Sequence, residues 1–319
     1  MIAATAAWFE RHSTRVLVAS IFVGLAWQDL AELLRPAVLP LSILTMTFAC
    51  VRMDWSLIAA HLRRPFSLLA ILAWLLIGAP LLVYGVCLVL LEPGSPLFAG
   101  LMLNAVSPPI MSAPAYALIV GAEPVQALLV SLGGSALAPF TGPGMIEALG
   151  LGAVHLSAGH LLLRLGAMVS IALGLAWLIR RLLTRARVVR HGEKIGAITV
   201  LLIAGFGIGL MVGMRGHILA EPELVLGYTL AAFGLNAALQ IIGAALLWRR
   251  SRAQGLVVAL VSGNRNMSLM TAAVIDAVGP EVLLYLICTQ FPLFFMPMLM
   301  RLVFRRLVSQ PPPQSISTA

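Results

Sequence analysis

Charge is what this sequence has least of. Only 10% of its 319 residues are Asp, Glu, Lys or Arg, against ~25% in a soluble domain, while 61% are hydrophobic. A water-soluble globule would lack polar surface at that composition, and a disordered chain would be far less apolar. Acidic residues are the scarcest, 12 in all, and none lies within ten positions of Arg265. Cysteine is nearly absent. Cys50, Cys87 and Cys288 sit in apolar runs without a CxxC pair or metal-type spacing, so they read as buried spectators and no metal site is expected. HExxH, GxSxG and a pair of intramembrane aspartates are missing, which removes the motif-borne intramembrane hydrolases. Gly205-x-Gly207-x-Gly209 lies inside an apolar run rather than after a strand, so it is no nucleotide loop. Neither an enzyme nor a cofactor is expected.

What is present is long apolar material. Stretches 65–91, 93–122, 124–146, 195–214, 224–248 and 282–300 carry no charged side chain. Each is close to or beyond the ~20 residues that a helix needs to cross a bilayer, and no ~10-residue alternation of the β-barrel kind occurs. The pattern predicts an all-α integral membrane protein with ten transmembrane helices, near 15–34, 38–53, 65–91, 96–120, 124–146, 157–180, 195–214, 224–248, 253–278 and 281–303. The connections are short, so one membrane domain over 1–319 is expected, with 307–319 as a disordered tail. Met1–Arg15 lacks the apolar core of a cleaved signal peptide.

The net charge of +9 is placed on one side. With ten spans, seventeen of the 21 Lys and Arg fall on the side that holds both termini and the Arg180–Lys194 loop. Arg35 and Arg215 fall on the other, and Arg164 and Arg265 within spans. The positive-inside rule then puts both termini in the cytoplasm of a cell (inner) membrane protein, with the bilayer and not nucleic acid as the partner of the charge. Arg180–Lys194 is the natural joint between two five-helix halves.

Two spans are interrupted. Ser107-Pro108-Pro109, with Pro114 following, removes amide donors and opens the fourth. Ser262-Gly263-Asn264-Arg265-Asn266 puts four polar side chains into the ninth. A shift of 157 residues carries Ser107 onto Asn264, Pro108 onto Arg265 and Pro109 onto Asn266. The same shift carries Glu123-Pro124-Val125 onto Pro280-Glu281-Val282. With five spans per half, the halves form two inverted repeats, about 15–146 and 157–303, each with one discontinuous helix. That arrangement points to a secondary transporter, whose opened backbone holds the substrate. An intramembrane Arg is costly unless paired, so Arg265 is the leading candidate to meet a small organic anion, or else it caps broken-helix carbonyls. Asn264, Asn266, Ser107, Ser262 and Asn236 complete the candidate substrate site, Asn236 being equally suited to a helix–helix hydrogen bond. Arg164 reads as snorkelling toward the outer interface and Asp276 as interfacial. Gly205, Gly209 and Gly213 form a small-residue face for close packing.

Over about residues 35–305 the sequence resembles the bile acid:sodium symporter superfamily. The likeness rests on Phe48–Trp55 followed by Arg64-Pro65, on the run from Ser107 through Ala113 to Ser131, and on Gly263–Asn266. Pro80, Asn236 and Pro139 fit it as well. The resemblance implies a panel of spans 1, 2, 6 and 7 and a core of the other six, with crossing helices 4 and 9 and substrate between the bundles. It also implies sodium ligands at positions that here read Leu75, Ala113-Pro114, Val261 and Arg265, leaving Ser112 and Ser131 as a residual ion site. Four side chains that cannot ligate and one cation predict transport without sodium, with a proton as the remaining candidate for coupling. The competing readings are a metalloid or cation efflux carrier on a similar fold and a membrane sensor that has lost transport.

Overall fold

The computed structural model describes residues 12–52, 65–120, 122–150, 157–249 and 251–296, together with 5, 7–9 and 299–300. The expected tail, Trp55, Arg63, Arg64 and the end of the tenth span lie outside the described residues. Among the described residues, six helices are long and apolar enough to cross a membrane: Gln28–Arg52, Phe66–Leu90, Pro124–Ala148, Ala158–Leu182, Gly192–Leu210 and Pro222–Trp248. Among the described residues there is no strand, only an isolated antiparallel bridge between Pro109 and Arg265. By length and composition of its helices, the chain is an all-α, multi-pass membrane protein.

Helix α1 (Ser13–Ala26) ends at Trp27, where the backbone leaves the helical region (φ −117°, ψ 81°). The expected first span, 15–34, is therefore two elements. Helix α2 (Gln28–Leu34) instead continues through a 3-10 turn, Arg35–Ala37, into α3 (Val38–Arg52). Pro36 does not divide the chain, because it enters at the start of that turn, where a missing amide costs little. Gln28 fixes the corner at Trp27. Its Nε2 donates to the Gly24 carbonyl (2.8 Å) and to that of Met211 (3.3 Å), and its Oε1 accepts from the Gly213 amide (2.9 Å).

Helix α4 (Pro65–Ala73) passes through a π-helical turn, Trp74–Gly78, into α5 (Ala79–Leu90). Pro80 has no amide and would clash with the carbonyl four residues back. The wider turn, in which the Ala79 amide donates to the Trp74 carbonyl, relieves that conflict. Helices α6 (Pro96–Val106) and α7 (Ala113–Val120) are the two parts of the fourth expected span. Helix α8 (Pro124–Ala148) stays continuous through Pro139 and Pro143. Helix α9 (Ala158–Leu182), capped by the Ser157 hydroxyl, leads through the short α10 (Arg185–Arg190) to α11 (Gly192–Leu210), α12 (Met214–Ala220) and α13 (Pro222–Trp248). Helices α14 (Arg252–Gly263) and α15 (Met267–Val274) are the parts of the ninth expected span, and α16 (Pro280–Cys288) follows.

The packing gathers the helices into two groups that also touch each other, α8 against α9 and α15 against α3 and α9. In one, α11 lies against α1, α2 and α3, and α9 lies against α3. In the other, α13 lies against α14 and α16, α8 against α4, α6, α7 and α14, and α6 against α5 and α16. Lipid tails are as apolar as leucine, so helices in a bilayer associate through close van der Waals fit. Glycine supplies it here. A Cβ on Gly209 would come within 2.9 Å of the Leu34 carbonyl oxygen, and one on Gly24 within 2.8 Å of the Met211 Cβ. Gly213 does not belong to this face, because α11 ends at Leu210 and Gly213 takes a left-handed turn (φ 73°) ahead of α12. Arg164 and Asp276, expected as separate interfacial residues, pair with each other at 3.0 Å.

Candidate functional site

The two broken helices meet at their breaks. Between α6 and α7 the chain is extended at Ser107 (ψ 146°), and between α14 and α15 it is extended at Asn264 (ψ 95°). The segments run antiparallel and share two backbone hydrogen bonds. The Ile110 amide donates to the Asn264 carbonyl (3.0 Å), and the Asn266 amide donates to the Pro108 carbonyl (2.7 Å). Each break thereby supplies partners for the other's opened backbone, which a bilayer would leave unsatisfied at several kcal/mol per group.

Side chains satisfy the rest. Arg265 is 1% exposed, and its guanidinium reaches three carbonyls on three elements. Nε donates to Ser262 at the end of α14 (2.8 Å). One terminal nitrogen donates both to Leu75 in the π-helical turn (2.9 Å) and to Ser107 at the end of α6 (3.1 Å). The other terminal nitrogen, Nη2, is buried with no partner among the described residues. No carboxylate pairs with this guanidinium among them either. Two long helices cradle the breaks. From α13, Asn236 donates to the Gly263 carbonyl (2.8 Å) and is itself held by Gln240 (2.6 Å), while Gly243 abuts the Ser262 hydroxyl. From α8, Ser131 donates to the Ile110 carbonyl (2.9 Å), Ser135 lies on the Met111 sulfur (3.2 Å), and Gly134 sits against the Pro109 ring. The Trp74 indole donates to the Ser262 hydroxyl (2.9 Å), tying the π-helical turn to the second break.

Beside the bridge, against Ile110 and Asn266, lies a cavity of about 50 Å³. Its walls come from both helix sets: Ser42, Thr45 and Met46 of α3 and Thr199 of α11 face Ile110, Ser112, Tyr116, Asn266 and Ser268 at the breaks. The Thr45 hydroxyl is buried and has no partner among the described residues. Two half-helices begin here. Asn266 caps α15, accepting from the Leu269 amide (3.2 Å), and Ser112 directly precedes α7. The N-terminal end of a helix carries roughly half a positive charge. The C-terminal ends of α6 and α14, which carry the opposite sign, are covered by Arg265. The cavity therefore faces two positive ends, with a full positive charge one residue behind its wall.

The structure thus divides the expected substrate residues. Asn266 lines the cavity, as does Ser112 of the expected ion site. Arg265, Asn264, Ser107, Ser262, Asn236 and Ser131 do not line it and gather around the crossing, with most of their polar atoms engaged by backbone carbonyls or neighbouring side chains. Asn264, for example, donates to the Leu260 carbonyl (2.9 Å), and Ser107 to that of Leu103 (2.6 Å). Sequence reading missed Thr45, Ser268, Trp74 and Gln240. Ser42 and Thr45, three residues apart in an apolar helix, were the available signal for the first of these. The chain matches no protein-family model and no curated protein.

Proposed function

We propose that this protein is a secondary transporter of a small organic anion, of the kind represented by the bile acid:sodium symporter superfamily. In this reading its helices form ten spans in two inverted repeats. Helices α1, α2–α3, α9 and α11 make a panel, and the remaining long helices a core. The anion sits in the cavity between panel and core, against Thr45, Ser112, Asn266 and Ser268. The observation that carries the reading is the convergence of two half-helix N-termini on a cavity with walls from both helix sets. Two half-charges at ~5 Å and an effective dielectric of ~20 attract a carboxylate by about 3 kcal/mol together, roughly a hundredfold in affinity. The same field repels a cation, which weighs against a metalloid or cation efflux carrier.

The cavity also bears on mechanism. At ~10–15 Å³ per enclosed water, about 50 Å³ admits a few waters or little more than a carboxylate group. A space that small does not admit a larger substrate body, which enters only when panel and core part. Rocking of the core, held together by the bridge, against the panel then exposes the site to one side at a time. The test is counterflow of labelled short-chain mono- and dicarboxylates in proteoliposomes at clamped membrane potential. Saturable exchange of one or more, weakened at least tenfold in apparent affinity by Asn266→Leu with folding intact, is the expected result. No exchange of any anion by a folded, reconstituted protein would refute it.

A further inference from the structure

A guanidinium withdrawn from water needs either an opposite charge or a full set of acceptors. Arg265 has no opposite charge among the described residues. It has three carbonyl oxygens, from Ser262, Leu75 and Ser107, all within 3.1 Å of Nε and one terminal nitrogen, while Nη2 has no partner among the described residues. They come from chain segments far apart in sequence, and nothing in local structure requires them to converge. Two lie at the C-terminal ends of α14 and α6, where the helix dipole adds negative potential. The third comes from the π-helical turn, the place where a helix has a carbonyl free to turn outward. Oxygen dipoles gathered from three elements onto one point are what a small cation without a carboxylate partner is bound by.

We propose that these three carbonyls form a cation site at the crossing of the broken helices, and that the Arg265 guanidinium is its permanent, covalently tethered occupant. The protein carries its own cation. The tether holds the negative ends of α6 and α14 and the π-helical turn together, and it leaves the positive ends of α7 and α15 free to act on the cavity. Without the side chain, three carbonyl dipoles repel one another around a space shaped for a planar cation, and that space binds guanidinium from solution.

The experiment uses Arg265→Ala of the full chain in lipid nanodiscs, with added guanidinium ion as the probe at millimolar concentration. Urea serves as the neutral control of the same shape, and tetramethylammonium as a cation without donors. The expected result is an apparent melting temperature lower than wild type by roughly 5–10 °C, restored at least halfway by guanidinium and by neither control, with no response in the wild type. A variant as stable as wild type, or one that urea restores equally, overturns the proposal. Should the alanine variant not accumulate, Arg265→Lys is compared with Arg265→Met. The lysine keeps the charge and the methionine the bulk, so more folded lysine variant is expected, and equal or better recovery of the methionine variant overturns the proposal. The site rests on the transporter reading only for its flux arm, in which guanidinium revives counterflow by Arg265→Ala. Thermal rescue without counterflow by any preparation would sink the transporter and keep the site. Counterflow by the wild type, with no rescue of either kind in the variant, would do the reverse.

Discussion

Three glycines on α8 allow the crossing to be probed with a single added methyl group. A Cβ on Gly144 meets nothing within 4 Å, one on Gly133 comes to 3.1 Å from a terminal methyl of Leu72, and one on Gly134 comes to 2.5 Å from Cδ of Pro109. In each case alanine gains about 1 kcal/mol of helix propensity over glycine. At position 144 nothing opposes that gain. At position 133 a leucine rotamer can give by a few tenths of an ångström, and gain and loss nearly cancel. At position 134 the contact must open by about 1 Å or more to reach the ~3.5–4.0 Å carbon–carbon optimum. The Pro109 ring is rigid, and its backbone is pinned on both sides by the Ile110–Asn264 and Asn266–Pro108 hydrogen bonds. Overpacking costs ~1–3 kcal/mol, and a site that cannot relax belongs at the upper end. The net loss for Gly134→Ala is then about 2 kcal/mol, or roughly 3 °C in melting temperature for a chain of this size. Fluorescence-detected thermal unfolding of the three variants in one detergent measures the order directly. If Gly134→Ala melts at or above Gly144→Ala, the breaks do not press on α8 as described, and the packing argument for the crossing is wrong.

Three further outcomes are expected. Arg187→Cys should react with an impermeant maleimide only after the cytoplasmic face is opened, against a low background because Cys50, Cys87 and Cys288 are all buried; labelling from outside intact cells would overturn the orientation. Replacing sodium by choline on both sides of the membrane should leave counterflow nearly unchanged, since Leu75, Pro114, Val261 and Arg265 offer no side-chain ligand for it, and a fall to background would reveal a surviving sodium site. Asp276→Asn should shift stability by less than about 1 kcal/mol in thermal unfolding, because its partner Arg164 meets it on an exposed surface, the aspartate side chain being 76% accessible.

The charge-free blocks made the long helices legible, because a helix in lipid must be apolar along its whole length and that requirement is written in composition. Both breaks were legible for the converse reason: tandem prolines and four adjacent polar side chains have no place in an unbroken span. What could not be read was how the breaks are satisfied. The Ile110–Asn264 and Asn266–Pro108 bonds join backbone atoms, which leave no mark in residue identity. Leu75 is a plain aliphatic residue in the sequence, and its contribution is a carbonyl released by a change of helical pitch. Arg265 stood out as a costly charge, but its partners are three such carbonyls, so its position behind the cavity wall depends on tertiary structure alone. Arg164 and Asp276 lie 112 residues apart, and each looked like an ordinary interfacial residue until the fold brought them together.

The π-helical turn at Trp74–Gly78 has a consequence for how this chain can change over generations. Such a turn amounts to one residue inserted into an α-helix. Deleting a residue there would restore regular pitch and leave the downstream faces pointing as they do, because the wide turn already absorbs the extra residue. The Leu75 carbonyl would fold back into its own helix and leave Arg265. Point substitutions along the outer face of α5 are harmless by comparison, since one aliphatic side chain in lipid resembles another. This helix can drift in letter but not in length, and the insertion and Arg265 can only have been gained, or be lost, together.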